Sequence, residues 1–331
     1  MKLFKNEVGR PSNETIKKRR IIVISSIFVF IFLLAGGVFL LTSGSTSELS
    51  AGIGNSGLDN FKISYDSKTK KTTVMGCPSG YAIYNNKKCV KDIPETHMVK
   101  TLLYSTANKK CKKLGYTGAD KKKIRVRDPG KVPTTYYACK SRAETNINIL
   151  NIPYYNQGDY SDYSRCGGGN LPKKGCNPTS AAMIFSALLG KTLTPSDMNN
   201  TAKNYSDVCS GNSYTVNFLK KYAANNNIHP ETVDGGDDNN KKKPSKKTQV
   251  NYIYNKLKTG KCVGAVALKA GCKLDSCYSN AGHFMMFYVS ETSGYAYYND
   301  PGHRNLVKKK TTIQSILDAS QSYHIELFCR K

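Results

Sequence analysis

The distribution of apolar residues divides the chain into three parts. Residues 21–42 form a continuous run without a charged side chain, which is long enough to cross the hydrocarbon core of a membrane as one helix. Residues 60–145 contain short segments of alternating apolar and polar positions, which favour strands. After about residue 147, predicted helices precede predicted strands, and this order is typical of an α+β fold with an antiparallel sheet.

These patterns predict a single-pass protein of the cell membrane. The basic cluster that precedes residues 21–42 places the N-terminus in the cytoplasm, because segments rich in Lys and Arg stay on that side. The alternative, a cleaved signal peptide, requires a shorter apolar core. In chain order we expect a cytoplasmic basic tail (1–20), a transmembrane helix (21–42), a flexible Gly/Ser-rich linker (43–58), a small disulfide-supported β-rich module (59–146) and an extracellular α+β domain (147–331).

One apolar segment stands out in the last of these regions. Residues 181–189 are apolar at almost every position, which predicts a helix that is buried on all sides. Asn177 is a suitable N-cap, Pro178 fits the first helical position, and Gly190 is expected to end the helix. Cys176 would then lie at the positive end of the helix dipole, where the pKa of a thiol is lowered and the thiol becomes a nucleophile. The alternative is a cysteine of a disulfide that happens to precede a helix.

Composition limits the classes of function. The chain has 50 basic and 23 acidic residues, a net charge of +27, and the excess is spread along its length. Only nine of the basic residues are Arg, and no nucleic-acid-binding motif is present. We therefore expect a solvated basic surface that is loosely attracted to an anionic cell envelope, and no nucleic-acid partner.

The chain contains eleven cysteines. In a domain outside the cell membrane, this many cysteines favours disulfides. A zinc site would be indicated by a CxxC pair or by paired His ligands, and the sequence has neither, so that we expect no metal or other cofactor. Five bridges would leave one thiol, for which we choose Cys176. The connectivity cannot be read from the sequence; Cys77–Cys89 and Cys272–Cys277 are simply the closest pairs along the chain.

A cysteine nucleophile needs a base and a group that orients the base. Of the five histidines, only His283 begins an apolar strand. A hairpin centred between residues 292 and 293 would place position 283 opposite position 302, with Asp300 two residues away on the same face. This register predicts a His283–Asp300 pair. The alternative is that Asp300 only opens a turn before Pro301.

Gln157 ends the first predicted strand of the α+β domain and precedes Cys176 in the chain. Its side-chain amide and the backbone N–H of Cys176, at the start of the helix, would together form an oxyanion hole. The position of Gln157 relative to Cys176 is the only reason to single it out.

Four ordered blocks resemble a known peptidase family. In chain order they are PYYNQxD, GCxPTSAAM, GHF and NDP, which begin at residues 153, 175, 282 and 299. Together they are similar to the bacteriocin-processing-type (C39-like) cysteine peptidases, which have a papain-like fold, and above all to the extracellular stand-alone relatives. The resemblance covers roughly residues 147–331, and residues 60–145 have no part in it.

The resemblance implies a role for each candidate residue. Cys176 would be the nucleophile, His283 the general base and acid, Asp300 the group that orients His283, and Gln157 the oxyanion donor. Family members often have Gly after the cysteine, where this chain has Asn177, and an Asn there is compatible with helix capping.

These observations lead us to expect a membrane-anchored extracellular cysteine peptidase that acts on a peptide or protein substrate. One alternative is a cell-wall enzyme that cleaves the peptides of peptidoglycan. Another is a surface protein that keeps the fold for binding without catalysis. A disulfide at Cys176 would favour this last function.

Overall fold

The computed structural model describes residues 58–127, 132–233, 245–271, 274 and 282–331. The predicted basic tail (1–20), the predicted transmembrane helix (21–42) and almost all of the predicted linker lie outside the described residues, and they stay predictions. None of the helices in the described part has both the length and the apolar character of a membrane-spanning helix.

The regular elements of the described part follow one another as a strand-rich first half and a mixed second half. The strands are β1 (Phe61–Asp66), β2 (Lys71–Gly76), β3 (Tyr81–Tyr84), β4 (Lys88–Lys91), β5 (Met98–Lys100), β6 (Ala119–Val126), β7 (Thr134–Cys139), β8 (Glu144–Asn146), β9 (Asn148–Ile152), β10 (Cys209–Ser210), β11 (Ser213–Tyr214), β12 (Ile228–Thr232), β13 (Cys262–Leu268), β14 (His283–Val289), β15 (Tyr295–Asn299), β16 (Lys309–Thr312) and β17 (Ser320–Arg330). The α-helices are α1 (Tyr104–Lys113), α2 (Leu171–Lys174), α3 (Cys176–Leu189), α4 (Pro195–Thr201), α5 (Val216–Asn225), α6 (Lys246–Leu257) and α7 (Ile313–Ala319), and 3₁₀ turns occupy Gln157–Asp159 and Ala202–Asn204.

The second half confirms the predicted α+β class. Its six-stranded sheet has the order β12-β17-β13-β14-β15-β16, and every neighbouring pair is antiparallel. The helix α3 packs against this sheet and is buried over almost its entire length, as its uncharged apolar sequence predicts. The helix and the sheet together form the larger hydrophobic core.

The start of α3 differs from the prediction. The helix begins at Cys176 with Gly175 as the N-cap residue, so that the predicted N-cap at Asn177 is wrong by two positions. Pro178 is nevertheless tolerated, because the first N–H groups of a helix have no partner within it and the missing N–H of Pro costs nothing there. The C-terminal end is as predicted: Gly190 adopts a left-handed conformation with φ of 66°.

The first hairpin packs with the α+β domain. Strand β2 pairs with both β1 and β9, which gives a three-stranded sheet that joins residues on both sides of the boundary expected between 146 and 147. Phe61 and Val74 belong to the larger core, and the hydroxyl groups of Thr72 and Tyr288 are 3.0 Å apart. The hairpin therefore belongs structurally with residues that follow the boundary. The division of function between the two regions stays a prediction.

The remainder of the first half has two small cores of its own. The sheets β3-β4-β8 and β5-β7-β6 are each supported by a disulfide, Cys77–Cys89 and Cys111–Cys139 respectively. The second sheet is covered by α1, which the sequence did not predict. Only Ala107 and Cys111 of this lysine-rich helix are buried, so that its apolar face is too narrow to stand out as a periodic pattern.

Four disulfides connect cysteines of the described part: Cys77–Cys89, Cys111–Cys139, Cys166–Cys209 and Cys262–Cys329. Cys176 is free, as predicted. Cys272 and Cys277, the other close pair along the chain, lie outside the described residues.

Arg330 holds the C-terminal end of α3. Its guanidinium donates from Nε to the carbonyl oxygen of Leu188 and from an Nη to that of Ala187, both at 2.6 Å, and from the other Nη to Ile149 at 2.7 Å. The last carbonyl groups of a helix have no partner within it and carry its negative dipole end, so that a cation is stabilising there.

We expect Arg330→Met to destabilise the fold. Methionine keeps much of the apolar stem but removes three charge-assisted hydrogen bonds, and the loss should lower the free energy of unfolding by about 2–4 kcal/mol. Urea unfolding monitored by circular dichroism measures this loss. The control is Lys331→Met at the exposed neighbouring position, which should change the free energy of unfolding by less than about 0.5 kcal/mol. Equal effects of the two substitutions would contradict the role of Arg330.

Candidate active site

One face of α3 points towards β14 and β15. Cys176, Ser180 and Met183 are spaced by four and three residues, which places them on the same side of the helix. The Ser180 hydroxyl donates to the backbone carbonyl of Phe284 at 3.2 Å, and the Asn299 amide nitrogen lies 4.0 Å from the Met183 sulfur. The N-terminal end of α3, with Cys176, is therefore held beside the start of β14 and the end of β15.

The hairpin of β14 and β15 brings His283 and Asp300 together. Met286 is opposite Asn299, which is the register that the turn between residues 292 and 293 predicts. Nε2 of His283 lies 2.8 Å from Oδ1 of Asp300, and the carboxylate is fully buried while 16% of the histidine side chain is exposed. Because Nε2 is occupied by Asp300, Nδ1 is the ring nitrogen that remains for the thiol.

The Asp300 carboxylate has partners on both oxygens. Oδ1 also accepts the backbone N–H of Gly302 at 2.7 Å, and Oδ2 lies 3.0 Å from Nδ1 of His303. The Tyr154 hydroxyl lies 3.1 Å from the carbonyl oxygen of Asp300 and 2.9 Å from that of His303. Sequence reasoning missed His303, for which the only signal was a histidine three residues after an aspartate at a turn.

The charges of the site stabilise one another. Burial opposes protonation of His283, but hydrogen bonds and Coulomb attraction to Asp300 and Cys176 outweigh it and raise the pKa of His283 to about 10. Burial also opposes ionisation of Cys176, yet the hydrogen bond and the charge of His283, with the backbone N–H groups of Phe284 and Asn177, lower the pKa of the thiol. The pKa of Asp300 is lowered as well, because its histidine and backbone partners outweigh its burial. The arrangement favours a thiolate beside an imidazolium.

Gln157 lies in the 3₁₀ turn Gln157–Asp159, which the Asn156 side chain caps by accepting the N–H of Gly158 at 2.9 Å. The backbone N–H of Gln157 donates to the carbonyl of Pro301 at 2.7 Å, which ties this turn to the loop after Asp300. Its side-chain Nε2 donates to the carbonyl of Pro172 at 2.8 Å. One of the two amide hydrogens is thus used by the segment that leads into Cys176, and the other has no acceptor among the described residues. The oxyanion role of Gln157 stays a prediction.

The start of α3 supplies further polar groups. The first N–H that bonds within the helix is that of Thr179, which donates to Gly175 at 2.9 Å, so that the N–H of Cys176 has no helical acceptor. Oδ1 of Asn177 and Oγ1 of Thr179 are buried without a hydrogen-bond partner among the described residues. Such atoms usually mark places that water or a ligand occupies. Within the described part, no cluster of His, Cys, Asp and Glu side chains has the arrangement of a metal site.

Comparisons with known proteins found a matching family and similar solved structures. The sequence model of the peptidase C39-like family matches residues 149–325, slightly more than half of the chain. A solved structure of a C39-like peptidase from Bacillus anthracis is similar at 15% sequence identity and a TM-score of 0.35, over 54% of this chain and 95% of that one. No curated protein sequence matches this chain. The extent of the family match establishes that the chain belongs to the peptidase C39-like family.

Proposed function

We propose that this protein is a membrane-anchored extracellular cysteine peptidase with Cys176 as its nucleophile. The observation that carries the proposal is the state of Cys176. It is free while the other eight described cysteines are paired, and it lies beside a His283–Asp300 pair that favours its thiolate. A nucleophile, a base and a group that orients the base form the minimal set for covalent hydrolysis of an amide.

The reaction has two stages. The thiolate of Cys176 attacks the carbonyl carbon of a peptide bond, and the negative charge moves to the carbonyl oxygen. The backbone N–H of Cys176 and the free amide hydrogen of Gln157 would stabilise this oxyanion. Nδ1 of protonated His283 gives its proton to the leaving amine, and the neutral ring then takes a proton from the water that attacks the acyl-enzyme. Release of the acid restores the thiolate and the imidazolium, while Asp300 keeps the ring oriented.

The proposed location rests on the sequence and on the disulfides. The uncharged segment 21–42 and the basic cluster before it would place the N-terminus in the cytoplasm and the peptidase outside. Four disulfides in the described part are expected of an oxidising compartment and support this topology. The net charge of +27 would favour accumulation near an anionic cell envelope.

Removal of the thiol tests the proposed activity. Cys176→Ala should abolish hydrolysis of casein or of synthetic peptides, because no nucleophile remains, and circular dichroism should show the fold unchanged. Peptide mapping by mass spectrometry after alkylation should find label on Cys176 of the parent protein. The matched control is His229→Ala, at an exposed histidine on β12, which should retain full activity.

Two outcomes would contradict the proposed peptidase. Activity that persists in Cys176→Ala would remove Cys176 as nucleophile. Lysis of bacterial cell walls in a zymogram, without cleavage of casein or peptides, would instead support a peptidoglycan hydrolase that uses the same residues.

The pH dependence tests the coupling of His283 to the thiol. Since the pKa of Cys176 is lowered and that of His283 is raised to about 10, the ion pair exists between the two values, and alkylation should stay fast well below neutral pH. His283→Ala should raise the thiol pKa, because burial then opposes ionisation without the imidazolium, and slow alkylation at pH 6 by at least about tenfold. Hydrolysis by the parent protein should decline as pH rises towards 10, where His283 loses its proton. An unchanged alkylation profile in His283→Ala would show that the two groups are not coupled.

His303 should act as a positioning residue through Asp300. His303→Ala removes the partner of Oδ2, which lets the carboxylate rotate, and the loss of one hydrogen bond to a charged group should lower kcat roughly threefold to tenfold with little change in KM. His303→Asn keeps a donor at the position of Nδ1 and should restore most of kcat. A loss that Asn does not restore, or one that appears in KM, would contradict this role.

A further inference from the structure

The small sheet β5-β7-β6 carries exposed apolar side chains at one end. Leu102, Leu103, Val126 and Val132 are 78%, 64%, 47% and 88% exposed. We call these four residues the apolar tip. Single exposed apolar side chains are ordinary, but a group of large ones marks an interaction surface.

The topology brings the four residues together. Strands β5 and β6 both run antiparallel to β7, with Lys100 opposite Tyr136 and Val126 opposite Thr134. The C-terminal ends of β5 and β6 and the N-terminal end of β7 therefore lie at the same end of the sheet. Leu102 and Leu103 follow β5, and Leu103 is the N-cap residue of α1. The backbone N–H of Thr101 donates to the carbonyl of Thr135 at 3.1 Å, which keeps the residue after β5 attached to β7 at this end.

Basic residues surround the apolar tip. Lys100 precedes Leu102 by two positions, and Arg125 and Arg127 flank Val126; all three are exposed. Residues 98–127 and 132–140 together contain eleven basic residues, every one of them exposed, and a single acidic residue, Asp120. None of the eleven forms an ion pair with another described residue, whereas Lys88, outside these ranges, pairs with Glu144 at 2.5 Å. The surface is therefore complementary to a polyanion.

The combination favours a lipid membrane over other polyanions. A soluble anionic polymer would be bound by the charges alone and gives no reason to expose Leu and Val side chains. A bilayer with anionic headgroups has both an anionic surface and an apolar layer directly beneath it, and basic side chains beside exposed apolar ones are typical of proteins that bind such a surface. The sheet also follows the predicted membrane segment 21–42 in the chain. The short predicted linker between them would keep the sheet close to a membrane.

We propose that the apolar tip inserts into a membrane that contains anionic lipids, and that Lys100, Arg125 and Arg127 contact the headgroups around it. The inference goes beyond the proposed peptidase and does not depend on the chemistry of Cys176. Residues 59–146 would then attach the chain to the membrane surface at a second place, in addition to the predicted transmembrane segment 21–42.

The absence of tryptophan from the sequence makes a direct test possible. Leu102→Trp places the only tryptophan of the chain at the apolar tip. Tyr163→Trp instead places it in the α+β domain, at a position whose side chain is 81% exposed, similar to the 78% of Leu102. Each full-length variant is reconstituted into vesicles of phosphatidylcholine, with or without anionic phosphatidylglycerol and with or without brominated acyl chains, which quench tryptophan in contact with them. Flotation of the vesicles first shows whether the chain is membrane-bound.

In anionic vesicles, the tryptophan at position 102 should emit at shorter wavelength and lose more than half of its emission to brominated lipid. The tryptophan at position 163 should do neither. Quenching at position 102 should decrease at least twofold without phosphatidylglycerol, and also when Arg125→Glu and Arg127→Glu are added to Leu102→Trp. Thermal unfolding checks that each variant is folded, and Val132→Trp replaces Leu102→Trp if the latter is not.

Three outcomes would overturn the proposal. A chain that does not float with anionic vesicles would contradict both the predicted anchor and the apolar tip. A chain that floats, but shows no quenching at position 102 or equal quenching at 102 and 163, would contradict the tip alone. An emission shift at position 102 that soluble polyphosphate produces as strongly as vesicles would assign the surface to an anionic polymer.

Discussion

The packing of α3 against the six-stranded sheet is the constraint on which the candidate site depends. The helix has no charged side chain and is buried along almost its entire length, so that it has little freedom to slide or rotate. Ser180 fixes its orientation against β14, and Arg330 fixes its C-terminal end from β17, the neighbour of β13 in the sheet. Cys176 is therefore positioned by the core, although it lies at the surface end of that core.

The second constraint is the buried carboxylate of Asp300. An ionised group in the interior is costly unless it is paired and hydrogen-bonded, and Asp300 is fully buried. Its partners are two histidine rings and the N–H of Gly302. The negative charge of Asp300 favours the imidazolium form of His283, and the imidazolium favours the thiolate of Cys176. The electrostatic state of the thiol thus follows from a carboxylate that it does not contact through any described hydrogen bond.

The parts of the site that sequence predicted are those with a local signal. The His283–Asp300 pair follows from one hairpin, because the position of its turn fixes which residues are opposite. Gly190 was a reliable stop because few other residues adopt a left-handed conformation easily. The start of α3 was missed because Asn177 and Pro178 suit a first turn in more than one register. The docking of the β1–β2 hairpin was missed for another reason: it depends on contacts such as Thr72 to Tyr288 between residues that are distant in the chain. His303 lies only three residues after Asp300, but a histidine at that spacing does not differ from an ordinary turn residue in the sequence.

A free thiol coexists with disulfides in the described part of the fold. Eight described cysteines are paired within the fold, and the Cys166–Cys209 and Cys262–Cys329 bridges join elements of the α+β domain without involving Cys176. A thiolate is the species that attacks a disulfide, so a lowered pKa would increase the risk of exchange. Cys176 is only partly exposed and is engaged by His283 and by backbone N–H groups. Partial burial at the start of α3 limits the access of other thiols and disulfides to the sulfur of Cys176.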